Sequence, residues 1–285
     1  MPPGNPRQAR TNYRCSDQGL AGFVCRTSTA PDGGESQTQP EFFRNAYFCG
    51  LADRAAACQP PRMSGDCALV IETSTPQATV ALAGSDGVLM RGFTSDRSHN
   101  AMLFEPLKEL LGARPEIGLV LVGSGPGSYS GTRVGIAAAQ GVAIAAACPA
   151  VGVPSILAVP SADEGAACLA IGDARRGSYW TSRIEKHRVM EAPELCDATE
   201  LEAKVRDALA EGLAVFAFEE PARFPLPDES KARVKLEFPD AKRLWTAWLA
   251  TDEETRNRWI QEIPQPIYLK PPHITPGKKG SMLIP

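Results

Sequence analysis

The chain has 285 residues, of which 43% are hydrophobic, and its formal net charge is −3. This length and apolar content are enough for one large or two small domains with a buried core, and the slightly acidic balance excludes nucleic-acid binding driven by overall charge. Its eight cysteines include no CxxC pair, a pattern that favours reduced thiols over a zinc or disulfide framework.

The first 62 residues are rich in Pro, Gly, Ser, Arg and Gln and show no sustained period of 2 or 3.6. Because such a segment buries too little apolar surface to fold alone, we predict a disordered or spurious N-terminal extension over residues 1–62. If it is spurious, the natural start is Met63, and peptides from upstream of Met63 in native material would refute that alternative. These residues also lack the apolar stretch of a secretory signal, so we expect a cytoplasmic protein.

Apolar runs begin directly after this extension. Strands joined by turns are predicted over residues 67–74, 78–83 and 88–94, an arrangement typical of a β-meander. The apolar spacing that follows predicts a helix over His99–Leu111 with Ser98 as its N-cap. Pro106 stands inside this helix, so we expect a kink or a 3₁₀ turn there.

A strand, a glycine-rich loop and a helix follow at the centre of the chain, over residues 119–122, 123–131 and 132–147. The loop glycines let the backbone approach an opposing group closely, and the helix offers unpaired N–H groups with Ser130 or Thr132 as N-cap. The loop therefore suits a phosphate or a carboxylate, although tight packing alone produces the same sequence. The weakly polar run 134–153 is broken by Pro149, so we do not expect it to span a membrane.

The remaining pattern predicts a second set of elements. Strands are predicted over residues 151–153, 168–172, 178–185, 214–218 and 266–269, and helices over residues 155–159, 198–211 and 244–250. Together these describe a two-lobed α/β protein. The first lobe is expected over residues 63–160, a smaller second lobe over residues 161–272, and a flexible tail over residues 273–285.

Three stretches of the chain coincide with one known family. The sequences ETSTPQATVAL, RSHNAMLFEPLKELL and GSGPGSYSGTRVGIAAAQGVAIA resemble the bacterial TsaB (YeaZ) family. The resemblance implies an actin-like (ASKHA/RNase H-like) two-lobed fold with a reduced second lobe. It also implies a non-catalytic subunit that acts with a TsaD-type subunit and a TsaE-type ATPase in the N6-threonylcarbamoylation of adenosine 37 in ANN-decoding tRNAs. Such a subunit is a homodimer when alone and reaches tRNA indirectly, through the complex.

The main alternative is a catalytic subunit of the TsaD type, or an ATP-binding ASKHA phosphotransferase, acting alone. The TsaD type carries two metal-binding histidines in an HxxxH pattern, one helical turn apart. Here His99 is followed four positions later by Leu103, so we expect neither a metal site nor catalytic residues. A peptidase, an older label for the superfamily, would need a Ser/His/Asp order or an HExxH motif, and the sequence supports neither.

A remnant of a nucleotide pocket is expected where the first strand and the glycine loop end. Its candidate residues are Glu72, Thr73, Ser74, Thr75, Gly125, Gly127 and Ser128. Nucleotide-binding relatives have a glycine-rich turn after the late strand, but here Glu219 and Glu220 follow it and would repel phosphate. We therefore expect no cofactor, with ATP or ADP binding weak at most.

In the family, the two helices of the first lobe form the subunit interface. Carried over to this chain, the interface consists of His99, Met102, Leu103, Pro106, Glu109, Arg133, Ile136, Ala137, Gln140 and Ile144. An apolar patch among polar residues suits a partner site, but the same side chains would also serve a core, and the sequence leaves both readings open.

Two further features are ambiguous. Arg175 and Arg176 stand in a DARRG turn, where they either meet tRNA phosphates or form a solvated hairpin tip. Trp245, Trp248 and Trp259 are expected to pack within the protein and not to form a base-stacking platform.

Overall fold

The computed structural model describes residues 67–94, 99–112, 115–163 and 165–270. The predictions for residues 1–62, for the tail 273–285 and for the Ser98 cap lie outside these residues. At positions 99–101 only the helical backbone is described.

The described residues form eleven strands and seven α-helices. The strands are β1 (Cys67–Glu72), β2 (Gln77–Gly84), β3 (Gly87–Thr94), β4 (Ile117–Gly123), β5 (Ala150–Val153), β6 (Cys168–Asp173), β7 (Tyr179–Glu185), β8 (Arg188–Val189), β9 (Glu194–Cys196), β10 (Ala214–Ala217) and β11 (Val234–Leu236). The helices are α1 (His99–Leu111), α2 (Tyr129–Ala146), α3 (Pro160–Asp163), α4 (Ala198–Ala210), α5 (Asp228–Lys231), α6 (Ala241–Ala250) and α7 (Glu253–Gln261).

The first sheet has the strand order β3-β2-β1-β4-β5. Strands β1, β2 and β3 form the predicted antiparallel meander, and β4 and β5 run parallel to β1. The two central strands, β1 and β4, are nearly continuous apolar runs because helices cover the sheet on both faces.

Alternate residues of β1 show how the two faces are used. Leu69 and Ile71 pack with side chains of α1 and α2 on one face. Ala68 and Val70 point to the other face, where α6 supplies Trp248. Trp245 and Trp259 pack at the edge of that second cluster, so the prediction that the tryptophans pack inside the protein is confirmed.

The second sheet repeats the topology of the first. Its order is β11-β10-β6-β7-β8, with β9 also paired to β7. Strands β10 and β11 run parallel to β6, whereas β7 is antiparallel to it. Strand β6 therefore corresponds to β1, and β10 corresponds to β4. Helix α4 covers one face through Leu201 and Val205.

Several elements differ from their predictions. Residues 266–269 form no strand, and residues 155–159 form a 3₁₀ turn before α3. Helix α1 continues through Pro106 without a 3₁₀ turn. Helices α6 and α7 belong by sequence to the range predicted for the second lobe, yet they contact the first sheet. Within the described ranges, every helix is too short or too polar to cross a membrane.

Candidate functional site

The glycine-rich loop leaves β4 and turns directly into α2. Ser128 is the N-cap of this helix, because its Oγ accepts a hydrogen bond from the Gly131 N–H at 3.2 Å. The prediction of Ser130 or Thr132 as N-cap is therefore wrong. The physical reason is a long-range contact: the N–H of Ser128 donates to the carbonyl oxygen of Ser74 at 2.6 Å, which fixes the loop one residue before the helix begins.

Two glycines bring this loop against the turn that follows β1. A Cβ atom at Gly123 would overlap the carboxyl group of Glu72, and one at Gly127 would overlap the backbone oxygen of Ser74. Glycine is required at both positions by close packing. Of the two explanations that the sequence left open, tight packing thus accounts for these two glycines.

Glu72 lies beneath the loop and does not reach the space between the lobes. Its side chain is fully buried, Oε1 accepts a hydrogen bond from the Ser74 N–H at 2.7 Å, and Oε2 has no hydrogen-bond partner among the described residues. Burial raises the pKa of Glu72, and hydrogen bonds from Ser74 and Ser155 oppose this shift. Burial thus shifts Glu72 toward its protonated form, and its carboxyl group supports the loop from below.

The interlobe cleft has a volume of about 810 Å³, within the size range of small-molecule sites. Four of the predicted pocket residues line it: Ser74, Thr75, Gly127 and Ser128. The other three predicted residues do not line it, which corrects the predicted set. Glu72 is buried under the loop, Gly125 is a buried residue of the loop itself, and the Thr73 hydroxyl donates to the carbonyl oxygen of Gly131 at 2.8 Å.

Three acids of the second lobe line the opposite wall of the cleft: Asp173 at the end of β6, and Glu219 and Glu220 after β10. Burial and the nearby Asp173 together raise the pKa of Glu219 to about 7, against the opposing effect of Arg175 and Arg223. Asp173 pairs with Arg175 at 3.3 Å and with Arg223 at 3.9 Å. Both arginines are thus already engaged by an acid, and the wall offers little free positive charge to a phosphate.

The DARRG turn forms the tip between β6 and β7. Arg175 and Arg176 adopt left-handed backbone conformations, with φ of 66° and 59°, and both are exposed. The Arg175 N–H donates to Oδ1 of Asp173 at 2.7 Å, and Nζ of Lys270 donates to the carbonyl oxygen of Arg175 at 2.9 Å. The turn is a solvated hairpin tip, and contact with tRNA phosphates stays a prediction.

The outer face of α1 and α2, here called the helix-pair face, exposes large apolar side chains. The exposed fractions are 46% for Met102, 60% for Phe104 and 77% for Ile144. The other predicted interface residues on this face are exposed (Glu109, Ala137) or half-buried (Pro106, Arg133, Gln140). The side chain of His99 lies outside the described residues. Phe104 was missed by the sequence prediction, although its place on α1 was known.

Leu103 and Ile136 belong to the core and not to the helix-pair face. Their exposed fractions are 0% and 6%, and both pack against the first sheet. Helical spacing explains the error, because Leu103 shares a stripe with Leu107 and Leu110, which point to the sheet. Both residues are therefore removed from the predicted interface.

The segment after α7 returns to the helix-pair face, a feature that the sequence did not reveal. The Ile267 N–H donates to the carbonyl oxygen of Ser124 at 2.9 Å, and Nε2 of Gln140 donates to the carbonyl oxygen of Pro264 at 3.5 Å. Tyr268 then lies at the cleft beside α2. The segment thus connects the helix-pair face with the rim of the cleft.

Comparisons with known proteins find similarity to TsaD and TsaB proteins. A family model for TsaD, tRNA N6-adenosine threonylcarbamoyltransferase, matches residues 94–230. The curated relatives include two tRNA threonylcarbamoyladenosine biosynthesis proteins TsaB. The protein of Escherichia coli is 34% identical over 39% of this chain and 52% of its own length, and that of Haemophilus influenzae is 29% identical over 42% of this chain and 55% of its own length. The chain spans about half the length of the curated relatives it matches.

Solved structures extend the likeness across both sheets. YeaZ from Pseudomonas aeruginosa matches with a TM-score of 0.53 at 20% identity, over 72% of this chain and 100% of its own. A second structure, described as similar to peptidase YeaZ from the same organism, matches with a TM-score of 0.54 at 21% identity and the same coverage. These matches confirm the predicted actin-like (ASKHA/RNase H-like) fold. Together with the curated relatives and the family model, they show that the chain is similar to proteins of the TsaB/YeaZ family.

Proposed function

We propose that this chain is a non-catalytic partner subunit that acts with a TsaD-type subunit in the N6-threonylcarbamoylation of adenosine 37 in ANN-decoding tRNAs. The exposed apolar helix-pair face is the observation that carries the proposal. The names of the curated relatives supply the pathway, and the match of residues 94–230 to the TsaD family model supports a TsaD-type partner.

The helix-pair face has the chemistry of a protein interface. Met102, Phe104 and Ile144 lie on neighbouring helices and are about half or more exposed, and burying them would contribute about 25 cal/mol per Å² of apolar surface. Helix α2 also presents exposed small residues, Ala137 and Gly141, which let another helix approach closely. Apolar anchors surrounded by polar residues are the usual composition of such a contact.

Two observations favour this role over a catalytic subunit acting alone. At the position where the TsaD type has its second metal-binding histidine, this chain has Leu103, whose side chain is buried in the core. The first-strand acid, Glu72, is covered by the glycine loop and cannot contact a ligand in the cleft. In this proposal, ATP or ADP binds the cleft weakly at most, because Glu219 and Asp173 line the wall that would hold phosphate.

The same proposal assigns the remaining partners. A TsaE-type ATPase completes the complex, and tRNA is reached through the TsaD-type subunit. When alone, the chain forms a homodimer through the helix-pair face. Because one face serves both contacts, addition of the TsaD-type subunit is expected to dissociate the homodimer, which analytical ultracentrifugation would detect.

The substitution Ile144→Arg tests the proposal. It places a guanidinium group at the most exposed apolar position of the face, so binding would bury a charge without a partner. We expect affinity for the TsaD-type subunit to fall by about a hundredfold or more, together with threonylcarbamoylation by the reconstituted set of proteins. Isothermal titration calorimetry and a tRNA modification assay measure the two effects.

Leu249→Arg is the matched control, since Leu249 is 54% exposed on α6, which packs on the opposite face of the first sheet. This variant is expected to bind and to support modification like the parent chain. Full affinity and activity in Ile144→Arg would contradict the proposed function. Substitutions of Leu103 or Ile136 are unsuitable for this test, because a charge at either buried position would unfold the first lobe.

A further inference from the structure

Arg133 is held between two aromatic rings at the edge of the helix-pair face. Its guanidinium carbon lies 3.2 Å from the ring centre of Tyr129 and 5.1 Å from that of Tyr268. Nη1 donates a long hydrogen bond of 3.4 Å to the carbonyl oxygen of Tyr129. The stack fixes the plane of the guanidinium group, and most of its N–H donors have no acceptor among the described residues.

Over the described ranges, no carboxylate lies within 4.0 Å of the Arg133 guanidinium. Other arginines of the chain are neutralised locally: Arg91 pairs with Glu109 at 2.8 Å, and Arg188 with Asp252 at 2.9 Å. Arg133 is thus a preoriented positive charge whose counter-charge is not supplied by the described part of the chain.

The second ring is brought from far along the sequence. Tyr268 follows directly after Ile267, whose N–H is bonded to the glycine loop through Ser124 at 2.9 Å. This bond holds the tyrosine beside α2, although Tyr268 follows Arg133 by 135 positions in the chain. An arginine that is stacked before binding loses less side-chain entropy when it meets a ligand.

Position along α2 connects this arginine to the proposed interface. Arg133 and Ala137 are one helical turn apart, and Ile144 follows two turns later on the same side of the helix. A partner that covers Ile144 and Ala137 therefore also covers Arg133 and removes water from its N–H groups. A desolvated guanidinium group without an acceptor is strongly unfavourable, so the partner must supply one.

We infer that the Tyr129–Arg133–Tyr268 stack is a preformed receptor for a carboxylate side chain, Asp or Glu, on the partner subunit that docks on the helix-pair face. This inference rests on the proposed function and adds the chemistry of the partner's contact. The planar guanidinium group accepts a carboxylate through two parallel N–H···O bonds. Tyr268 acts as a positioning residue, because it holds the guanidinium group without itself being required to touch the partner.

Titration of the full chain with the TsaD-type subunit, at about 50 mM and about 500 mM salt, tests the inference. Arg133→Gln is expected to weaken binding at low salt by about tenfold or more and to reduce the salt dependence of the affinity. Arg133→Lys keeps the charge but loses the planar guanidinium group. Its affinity is expected to lie between that of the parent chain and that of Arg133→Gln. Tyr268→Phe retains the ring and should bind like the parent, whereas Tyr268→Ala should lose affinity severalfold.

Arg206→Gln is the control, because Arg206 is an exposed arginine on α4, paired with its neighbour Asp207, in the second lobe. The inference is overturned if Arg133→Gln binds like Arg206→Gln, or if its loss of affinity leaves the salt dependence unchanged. A charge exchange gives a second test. Binding lost in Arg133→Glu should be restored when one Asp or Glu of the partner is changed to Arg. If no exposed acid of the partner restores binding when changed to Arg, the inference is overturned. If both Ile144→Arg and Arg133→Gln bind like the parent chain, the proposed function fails. If Ile144→Arg loses binding and Arg133→Gln does not, this inference alone fails.

Discussion

The two lobes place equivalent strand ends on opposite walls of the cleft but equip them differently. In the first lobe, β1 ends at Glu72, and the glycine loop after β4 covers this acid completely. In the second lobe, β6 ends at Asp173, and β10 is followed by Glu219, and both acids line the cleft. The same topology thus buries an acid on one side and presents acids on the other.

The difference shows that strand order fixes where an acid stands but not what it can do. A loop with glycine at its closest approach turns the acid of the first lobe into a buried support, whose pKa is raised mainly by burial. Without such a loop, the second lobe leaves Glu219 within the electrostatic influence of Asp173, Arg175 and Arg223, and its pKa is raised to about 7. Loop sequence, more than fold, decides which wall can meet a ligand.

The substitution Gly123→Ala tests whether the glycine loop seals Glu72, and it should have the largest effect on stability. The added methyl group would overlap Glu72, which is held in a fully buried site and cannot move aside. We expect the free energy of unfolding to fall by about 3 kcal/mol, as measured by urea denaturation. Gly141→Ala is the control, because a Cβ atom there meets no other atom within 4 Å, and it should stabilise the helix by about 0.5–1 kcal/mol. Equal stability of the two variants would show that the loop does not seal the acid.

Replacing Glu72 separates its shape from its charge. Glu72→Gln keeps an acceptor for the Ser74 N–H and is expected to change the free energy of unfolding by less than about 1 kcal/mol, because the raised pKa of Glu72 favours the neutral form. Glu72→Ala removes the acceptor and leaves a cavity, so it should cost about 2–4 kcal/mol. Thermal and urea denaturation near neutral pH measure both. A large loss in the Gln variant would mean that the carboxylate is needed in its charged form.

The smallest expected effect is the pH dependence that Glu219 contributes. The pKa of this acid is raised to about 7 in the folded chain, so the folded state binds its proton more tightly than the unfolded state does. The stabilisation is complete below the unfolded pKa and is lost as the pH rises through about 7.

In Glu219→Gln, the loss of stability between about pH 5 and pH 7.5 should be smaller than in the parent by about 1–2 kcal/mol. Urea denaturation across this range provides the measurement. Glu229→Gln, at an exposed position on α5, should retain the slope of the parent. Parallel curves for the parent and Glu219→Gln would show that the second lobe does not hold this acid in a neutral form.

Much of the fold followed from local patterns in the sequence. The apolar runs of β1 and β4 are long because both faces of their sheet are covered, so the strands were predictable without tertiary information. Helix α7 was missed because its sequence, EETRNRWIQ, carries little apolar periodicity. It is instead started by Asp252, whose side chain accepts a hydrogen bond from the Thr255 N–H.

The site was less predictable because its contacts are long-range. The sequence placed Ser74, Thr75, Gly127 and Ser128 at the cleft correctly, since the ends of neighbouring parallel strands meet. It did not reveal that a loop 50 positions later in the chain would cover Glu72. Residues 266–269 do not form the predicted strand, because Pro264 and Pro266 lack N–H groups. The contact of Tyr268 with Arg133 joins distant parts of the chain, so no local sequence pattern predicted it.

The path of the chain between the lobes has a consequence for how the protein changes over evolutionary time. The chain leaves the first sheet after β5 and comes back to it in α6, and at this crossing the N–H of Asp240 donates to the carbonyl oxygen of Ala158 at 3.1 Å. The outgoing and returning segments therefore lie side by side. Residues 159–239, between them, form an insertion that is joined to the first lobe by these two segments. Such an insertion can shorten or diverge while the first sheet and its covering helices keep their structure.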